Sequence, residues 1–141
     1  MRLCGIEFDS VSAIVALVQH NGDGTFQLIP SDIKRIPVDN HEDSQCLISF
    51  VQTVSSLVKD FHIDGLAIRK CTYKGKYVSG APAIKMEALL QINAVPSLLI
   101  SPQAIAAKLK SRPIESPKGM PQYQKGAFVV AVLGLDDFNA V

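Results

Sequence analysis

The sequence predicts a single α/β domain over residues 1–141, with a mixed five-stranded sheet and helices on both faces. Three observations predict it. The first third reads as three short β segments separated by turns, two long stretches carry apolar residues at helical spacing, and two further β segments each follow a helix. A chain of 141 residues, 48% hydrophobic with mean hydropathy +0.21, has enough apolar side chains for one real core.

The first strand covers residues 2–9, where Arg2 to Asp9 alternates with a period of two and sets Glu7 and Asp9 on one face. After the polar turn Ser10-Val11-Ser12, the run Ala13-Ile14-Val15-Ala16-Leu17-Val18 suits a strand buried on both faces. Asn21-Gly22-Asp23-Gly24 is a hairpin turn, because Asn and Gly tolerate positive φ, and a third strand runs from Thr25 to Ile29 before Pro30. These three make an antiparallel meander. Residues 30–40 read as a polar connection, with Asn40 as the cap of the next helix and Asp43 near its positive end.

That helix carries Leu47, Phe50, Val51, Val54, Leu57, Val58 and Phe61 on one stripe. Gly65 precedes a fourth strand, Leu66-Ala67-Ile68, and the strand–helix–strand order makes it parallel to the first. A loop from Arg69 to Ala81 leads to a second helix, from Pro82 to Ile92, with Pro82 in its first turn. Ser97-Leu98-Leu99-Ile100 is the fifth strand. Ser101-Pro102 starts a third helix, and residues 111–121, with three prolines, form a surface loop. Ala127–Leu133 is apolar on every side. Helix is favoured over strand there, because three helices leave part of the sheet uncovered.

Charge is unevenly distributed. Residues 1–65 hold four cations against nine acids, whereas residues 66–125 hold ten cations against two acids, in a chain whose net charge is only +1. Such a segment can give one face a field that attracts polyanions. Its densest part is the loop Arg69-Lys70-Cys71-Thr72-Tyr73-Lys74-Gly75-Lys76-Tyr77. Lysine and arginine neutralise phosphates and tyrosines stack on bases, so Arg69, Lys70, Tyr73, Lys74, Lys76, Tyr77 and the nearby Lys85 are the candidate nucleic-acid contacts. Lys108, Lys110 and Arg112 add to the same field. The partner expected is therefore DNA or RNA; a solvated loop with an ordinary lysine excess is the plainer reading.

Other residue types exclude more than they assign. Cys4, Cys46 and Cys71 have no CxxC spacing, which speaks against structural zinc and for a reducing compartment. With no signal-like start and no apolar run near the roughly 20 residues of a membrane helix, cytoplasm is the expected location and no membrane is expected as partner. His20, His41 and His62 lack metal-site spacing and read as surface residues. Cys71 sits in a basic loop, which would lower its pKa, yet no His base accompanies it. Ser79-Gly80-Ala81 could hold an anion on free backbone N–H groups, without a phosphate-loop pattern. Glu87 reads as one half of a structural ion pair on its helix. The Ala127–Leu133 run, more apolar than a surface helix needs, could be core alone or could also bury a homodimer contact.

The element order is ribonuclease-H-like. Cys4-Gly5-Ile6-Glu7 resembles the Gly-Ile-Asp opening of RuvC-type Holliday-junction resolvases. Asp64-Gly65-Leu66-Ala67-Ile68 resembles their fourth strand, Ile100-Ser101-Pro102 the strand-to-helix step after it, and Tyr123 to Leu133 stands in the place of their terminal helix. The whole chain also resembles a small bacterial family of uncharacterised proteins of this superfamily. The resemblance implies a three-layer fold and, in the nucleases of the family, two divalent metals on about four carboxylates. In this chain Glu7 stands at the first carboxylate position. The second falls at Arg69 or Lys70, and the others fall near Gln124, Lys125 and Gly126, where no acid stands.

The expectation is then a degenerate relative that binds nucleic acid. Lys70 or Arg69 would pair with Glu7 or Asp9, with no resident metal and no cofactor. The alternatives are an active nuclease using Glu7 and Asp9 with Mg²⁺ or Mn²⁺, and a non-enzymatic interaction or regulatory module.

Overall fold

The computed structural model describes residues 1–139 as one mixed sheet covered by helices on both faces. The strands are β1 (Arg2–Asp9), β2 (Ser12–His20), β3 (Phe26–Ile29), β4 (Arg35–Pro37), β5 (Gly65–Arg69) and β6 (Ser97–Ile100). The helices are α1 (Ser44–Asp60), α2 (Ala81–Gln91), α3 (Pro102–Ser111) and α4 (Lys125–Asn139), the last preceded by a 3₁₀ turn at Gln122–Gln124. Sheet order is β3-β2-β1-β5-β6. β1, β2 and β3 are antiparallel neighbours, while β5 runs parallel to both β1 and β6.

The sheet has six strands rather than five. Within the expected polar connection, Arg35–Pro37 pairs with Ser12–Ile14 of β2, while β3 pairs with Leu17–His20 further along the same strand. Pro37 fits this position because β4 pairs only with β2 and is itself a sheet edge, where a missing N–H is tolerated. The cap of α1 also differs from expectation. Asp43, not Asn40, accepts from the Gln45 N–H at 2.9 Å, and Asn40 caps the preceding turn through the Glu42 N–H at 3.0 Å. Ser101 caps α3 as expected, accepting from the Ala104 N–H at 3.1 Å with Pro102 next to it.

Strand alternation divides the core. Cys4, Ile6, Val15, Leu17, Leu66 and Ile68 face α1 and α2, meeting Phe50, Val54, Leu57, Met86 and Leu90. Ile14, Ala16, Val18 and Ala67 point the other way, onto α4 and α3. α4 lies across the middle of the sheet with Ala127 to Leu133 at most 5% exposed. Sheet, α3 and the residue 112–121 loop enclose it, which accounts for an apolar surface all round. Within the chain Ala127–Leu133 is therefore intramolecular core, the first of its two expected roles. His20 is likewise buried, not a surface histidine. Its ring meets the Ala131 carbonyl at 3.0 Å, and burial lowers its pKa.

The helix approaches the sheet closely because small residues line the contact. A Cβ on Gly5 would overlap the Ala127 carbonyl, and one on Gly134 would come within 2.7 Å of the Ala67 Cβ. This proximity sets the N-terminal end of α4 directly over the end of β1. No helix among the described residues is long and apolar enough to cross a membrane.

Candidate nucleic-acid interface

Parallel pairing brings the carboxyl ends of β1 and β5 to the same edge. Ile6 is in register with Ile68, so Glu7 and Arg69 stand side by side on the α4 face. Arg69 Nη1 donates to Glu7 Oε2 at 3.2 Å, with the carboxylate side chain 25% exposed. Gly126, in the first turn of α4, lies against the other side of that carboxylate, where a Cβ would overlap both of its oxygens. Asp9, two residues on, makes a separate pair with Arg35 of β4 at 3.2 Å, and the Arg35 guanidinium lies 5.0 Å above the Tyr123 ring.

The two acids are therefore each matched by a guanidinium. Among the described residues no three His, Cys, Asp or Glu side chains gather where they could hold a metal ion. Arg69 and Gly126 occupy the space flanking Glu7, and a cation at hydrogen-bond distance repels a second one. The side chains at this edge do not fit the paired divalent ions that the fold's nucleases use.

Beyond Arg69 the chain leaves the sheet as a pinned loop. The Lys70 N–H still donates to the Ile100 carbonyl at 2.9 Å. Thr72 and Ser79 close the base of the loop: Thr72 N–H donates to Ser79 Oγ at 2.9 Å, and Ser79 N–H to the Thr72 carbonyl at 2.7 Å. Gly75 turns the tip with φ +101°. The anchor beneath is Glu87 of α2, only 2% exposed, which accepts from the Cys71 N–H at 2.6 Å and from the Tyr73 hydroxyl. The expected helix-surface ion pair of Glu87 is thus corrected: its partners are loop donors, and it lies inside the protein.

That anchor alters its neighbours. The hydrogen bond to Glu87 pushes the Tyr73 phenol up to about 12. Burial, followed by the negative charge of Glu87, pushes the Cys71 thiol up to about 12. Sequence position suggested the opposite direction for Cys71. The lysines of the loop extend into solvent, whereas the thiol is 6% exposed and closest to an acid.

The loop, the end of β1 and the start of α3 enclose a cleft of about 600 Å³. Glu7, Arg69, Lys70, Lys74, Lys76 and Tyr77 line it, so six of the nine residues singled out from sequence meet there. Tyr77 is 80% exposed beneath the Lys76 ammonium, 5.6 Å from its ring. The other three lie elsewhere. Tyr73 is committed to Glu87 and to the Lys70 ammonium 5.3 Å from its ring. Lys85 donates to the His41 carbonyl at 2.9 Å, and Asp9 belongs to the Arg35 pair. The wider basic field also shrinks: Lys108 lies 3.2 Å from Asp137, and Arg112 lies 3.7 Å from Asp136. Tyr123 and Lys125, which share a second cavity with Glu7 and Arg69, and Arg35, which meets Asp9 and Tyr123, had not been singled out. Arg35 in particular sat in a stretch too short to show strand periodicity.

The chain superposes on Thermus thermophilus RuvC with a TM-score of 0.70 at 12% identity, covering 99% of this chain and 96% of that one. RuvC of the same organism in complex with Holliday-junction substrate gives 0.71 at 14%, again covering 99% and 96%. The fowlpox virus resolvase in complex with Holliday-junction DNA gives 0.55 at 12%, covering 99% and 98%. At such identities the likeness shows the fold, which is RuvC-like and ribonuclease-H-like. No curated protein matches the chain. Residues 1–134 match the family described as "Protein of unknown function (DUF3010)", and the chain belongs to that family.

Proposed function

We propose that this protein binds nucleic acid in the cleft between the residue 70–79 loop and the end of β1, without two-metal catalysis and without a resident cofactor. The observation that carries the reading is the Arg69–Glu7 pair at the floor of a cleft walled by Lys70, Lys74 and Lys76. A guanidinium occupies the position beside Glu7 that a metal-dependent nuclease of this fold would reserve for an acid. Arg69, its charge balanced by Glu7, then offers N–H donors to a phosphate, the lysines supply the net positive charge along the backbone, and Tyr77 offers a stacking face. The RuvC and fowlpox complexes support the choice of ligand, because those two proteins are bound to Holliday-junction substrate.

The test is fluorescence anisotropy with a four-way DNA junction, a duplex, a single strand and an RNA–DNA hybrid between 50 and 300 mM salt. The three cleft lysines without a countercharge predict a slope of log K against log salt of about −2 to −3. Lys74→Glu with Lys76→Glu is expected to weaken binding at least tenfold and to flatten that slope. Absence of salt-dependent binding would refute the reading in favour of a protein-interaction module. Mn²⁺- or Mg²⁺-dependent cleavage that disappears in Glu7→Gln would refute it in favour of a nuclease.

A further inference from the structure

Glu7 and Arg69 form the wall between two cavities. One is the basic cleft. The other, about 400 Å³, opens on the far side of the pair between α3 and α4. Its character is different: Ile105, Leu109, Val129 and Val130 make aliphatic walls, and Tyr123, 43% exposed, stands at the rim with Lys125. Its polar lining is the ion pair, a carboxylate acceptor beside a guanidinium donor, together with Gln122 and Lys125.

We infer that this second cavity receives an unpaired nucleobase from the strand whose phosphates lie in the basic cleft. The inference rests on the nucleic-acid reading above and deepens it, because it makes the preferred ligand a strand with an unstacked base. A flat heteroaromatic ring suits apolar walls and a tyrosine rim, and its edge carries both donors and acceptors, matching Arg69 and Glu7. Continuity supplies the rest of the argument. The same two side chains line both cavities, so the aliphatic pocket adjoins the cleft in which Lys70 and Lys74 would hold the backbone. A purely aliphatic occupant would leave the free donors and acceptors of the pair without partners at the pocket floor, and burying such groups is costly.

The experiment uses two DNA strands that differ at one central position, 2-aminopurine against an abasic site, and 2-aminopurine riboside monophosphate as a free-nucleotide control. The base-bearing strand is expected to bind about tenfold tighter than its abasic twin, as one stacked base would give, with a change in 2-aminopurine emission. Leu109→Trp, at a half-buried position, fills the pocket and is expected to erase that difference while leaving the abasic strand's affinity unchanged. Tyr123→Ala, at an exposed position, is expected to reduce the difference without risk to folding. Equal affinity for the two strands, with salt-dependent binding intact, would overturn this inference and leave the nucleic-acid reading standing. Free nucleotide binding as tightly as the strand would also overturn it, and loss of all binding would remove both.

Discussion

Replacing Glu87 with alanine isolates the device that holds the basic loop in place. The carboxylate is 2% exposed and accepts two hydrogen bonds, from the Cys71 N–H at 2.6 Å and from the Tyr73 hydroxyl. In Glu87→Ala the Cys71 N–H loses its acceptor in a buried setting, which costs about 1–3 kcal/mol. The Tyr73 hydroxyl belongs to a half-exposed residue and recovers most of its loss from water. Against this, the alanine variant no longer buries a carboxylate, which returns part of the desolvation cost. The expected net loss is about 2 kcal/mol, read in urea as a lower midpoint with an unchanged slope. Glu87→Gln keeps an acceptor for Cys71 and offers a donor to the tyrosine oxygen, so its loss should stay near 1 kcal/mol. The loop should loosen more than the protein as a whole, so trypsin cleavage after Lys74 and Lys76 should accelerate in the alanine variant before global unfolding. Stability within about 0.5 kcal/mol of the parent, the ordinary range for a surface substitution, together with unchanged cleavage would refute the anchoring role.

Two other perturbations test neighbouring contacts. Cys4 and Cys71 are both buried and both pushed up to about 12, so alkylation at pH 8 should modify the partly exposed Cys46 first and the other two only on unfolding. The folded-state values of those two thiols lie above the model-compound 9.0, so the stability they contribute is complete below about pH 9 and falls as pH climbs toward 12; urea midpoints between pH 8 and 10 check the direction. Gly126→Ala places a methyl group on the Glu7 carboxylate and should cost about 1–3 kcal/mol, as overpacking does. Pairing it with Glu7→Ala should recover much of that loss, and simple additivity in the double-mutant cycle would show that the two residues do not press on each other.

Most of the architecture was readable because it depends on local periodicity. β1 to β3, the stripe on α1, the crossover to β5 and the Ser101-Pro102 start of α3 each follow from spacing or turn chemistry. β4 was not readable, because three residues with a single inward Ile36 show no period, and only the unpaired end of β2 makes them a strand. At the site, the Arg69–Glu7 pair was within reach of sequence, since a parallel partner strand places position 69 beside position 7. Arg35 and Glu87 were out of reach for opposite reasons. Arg35 depends on the unread strand, and Glu87 is buried only because a loop sixteen positions earlier folds over it. Lys108 and Arg112 show the same limit, since their countercharges, Asp136 and Asp137, lie more than twenty residues away on another helix.

The pairing of charges fixes what Glu7 does to a polyanion. Glu7 with Arg69 sums to zero, so the positive field of the cleft comes from Lys70, Lys74 and Lys76 rather than from its floor. A carboxylate that held a metal would strengthen phosphate binding, and its removal would weaken it. Here the carboxylate holds a guanidinium, so Glu7→Gln leaves Arg69 with uncompensated charge facing the cleft. Affinity for a DNA strand should therefore rise, by about two- to tenfold at 50 mM salt, because one charge removed at a partly exposed site is worth about 1 kcal/mol and salt screens it. The gain should shrink by 300 mM salt and should not depend on Mg²⁺ or EDTA. Titration of Glu7→Gln beside the parent protein measures it, and weaker binding in the variant, above all weaker binding only when Mg²⁺ is present, would show that the carboxylate serves a metal and that the positive partner at position 69 is incidental.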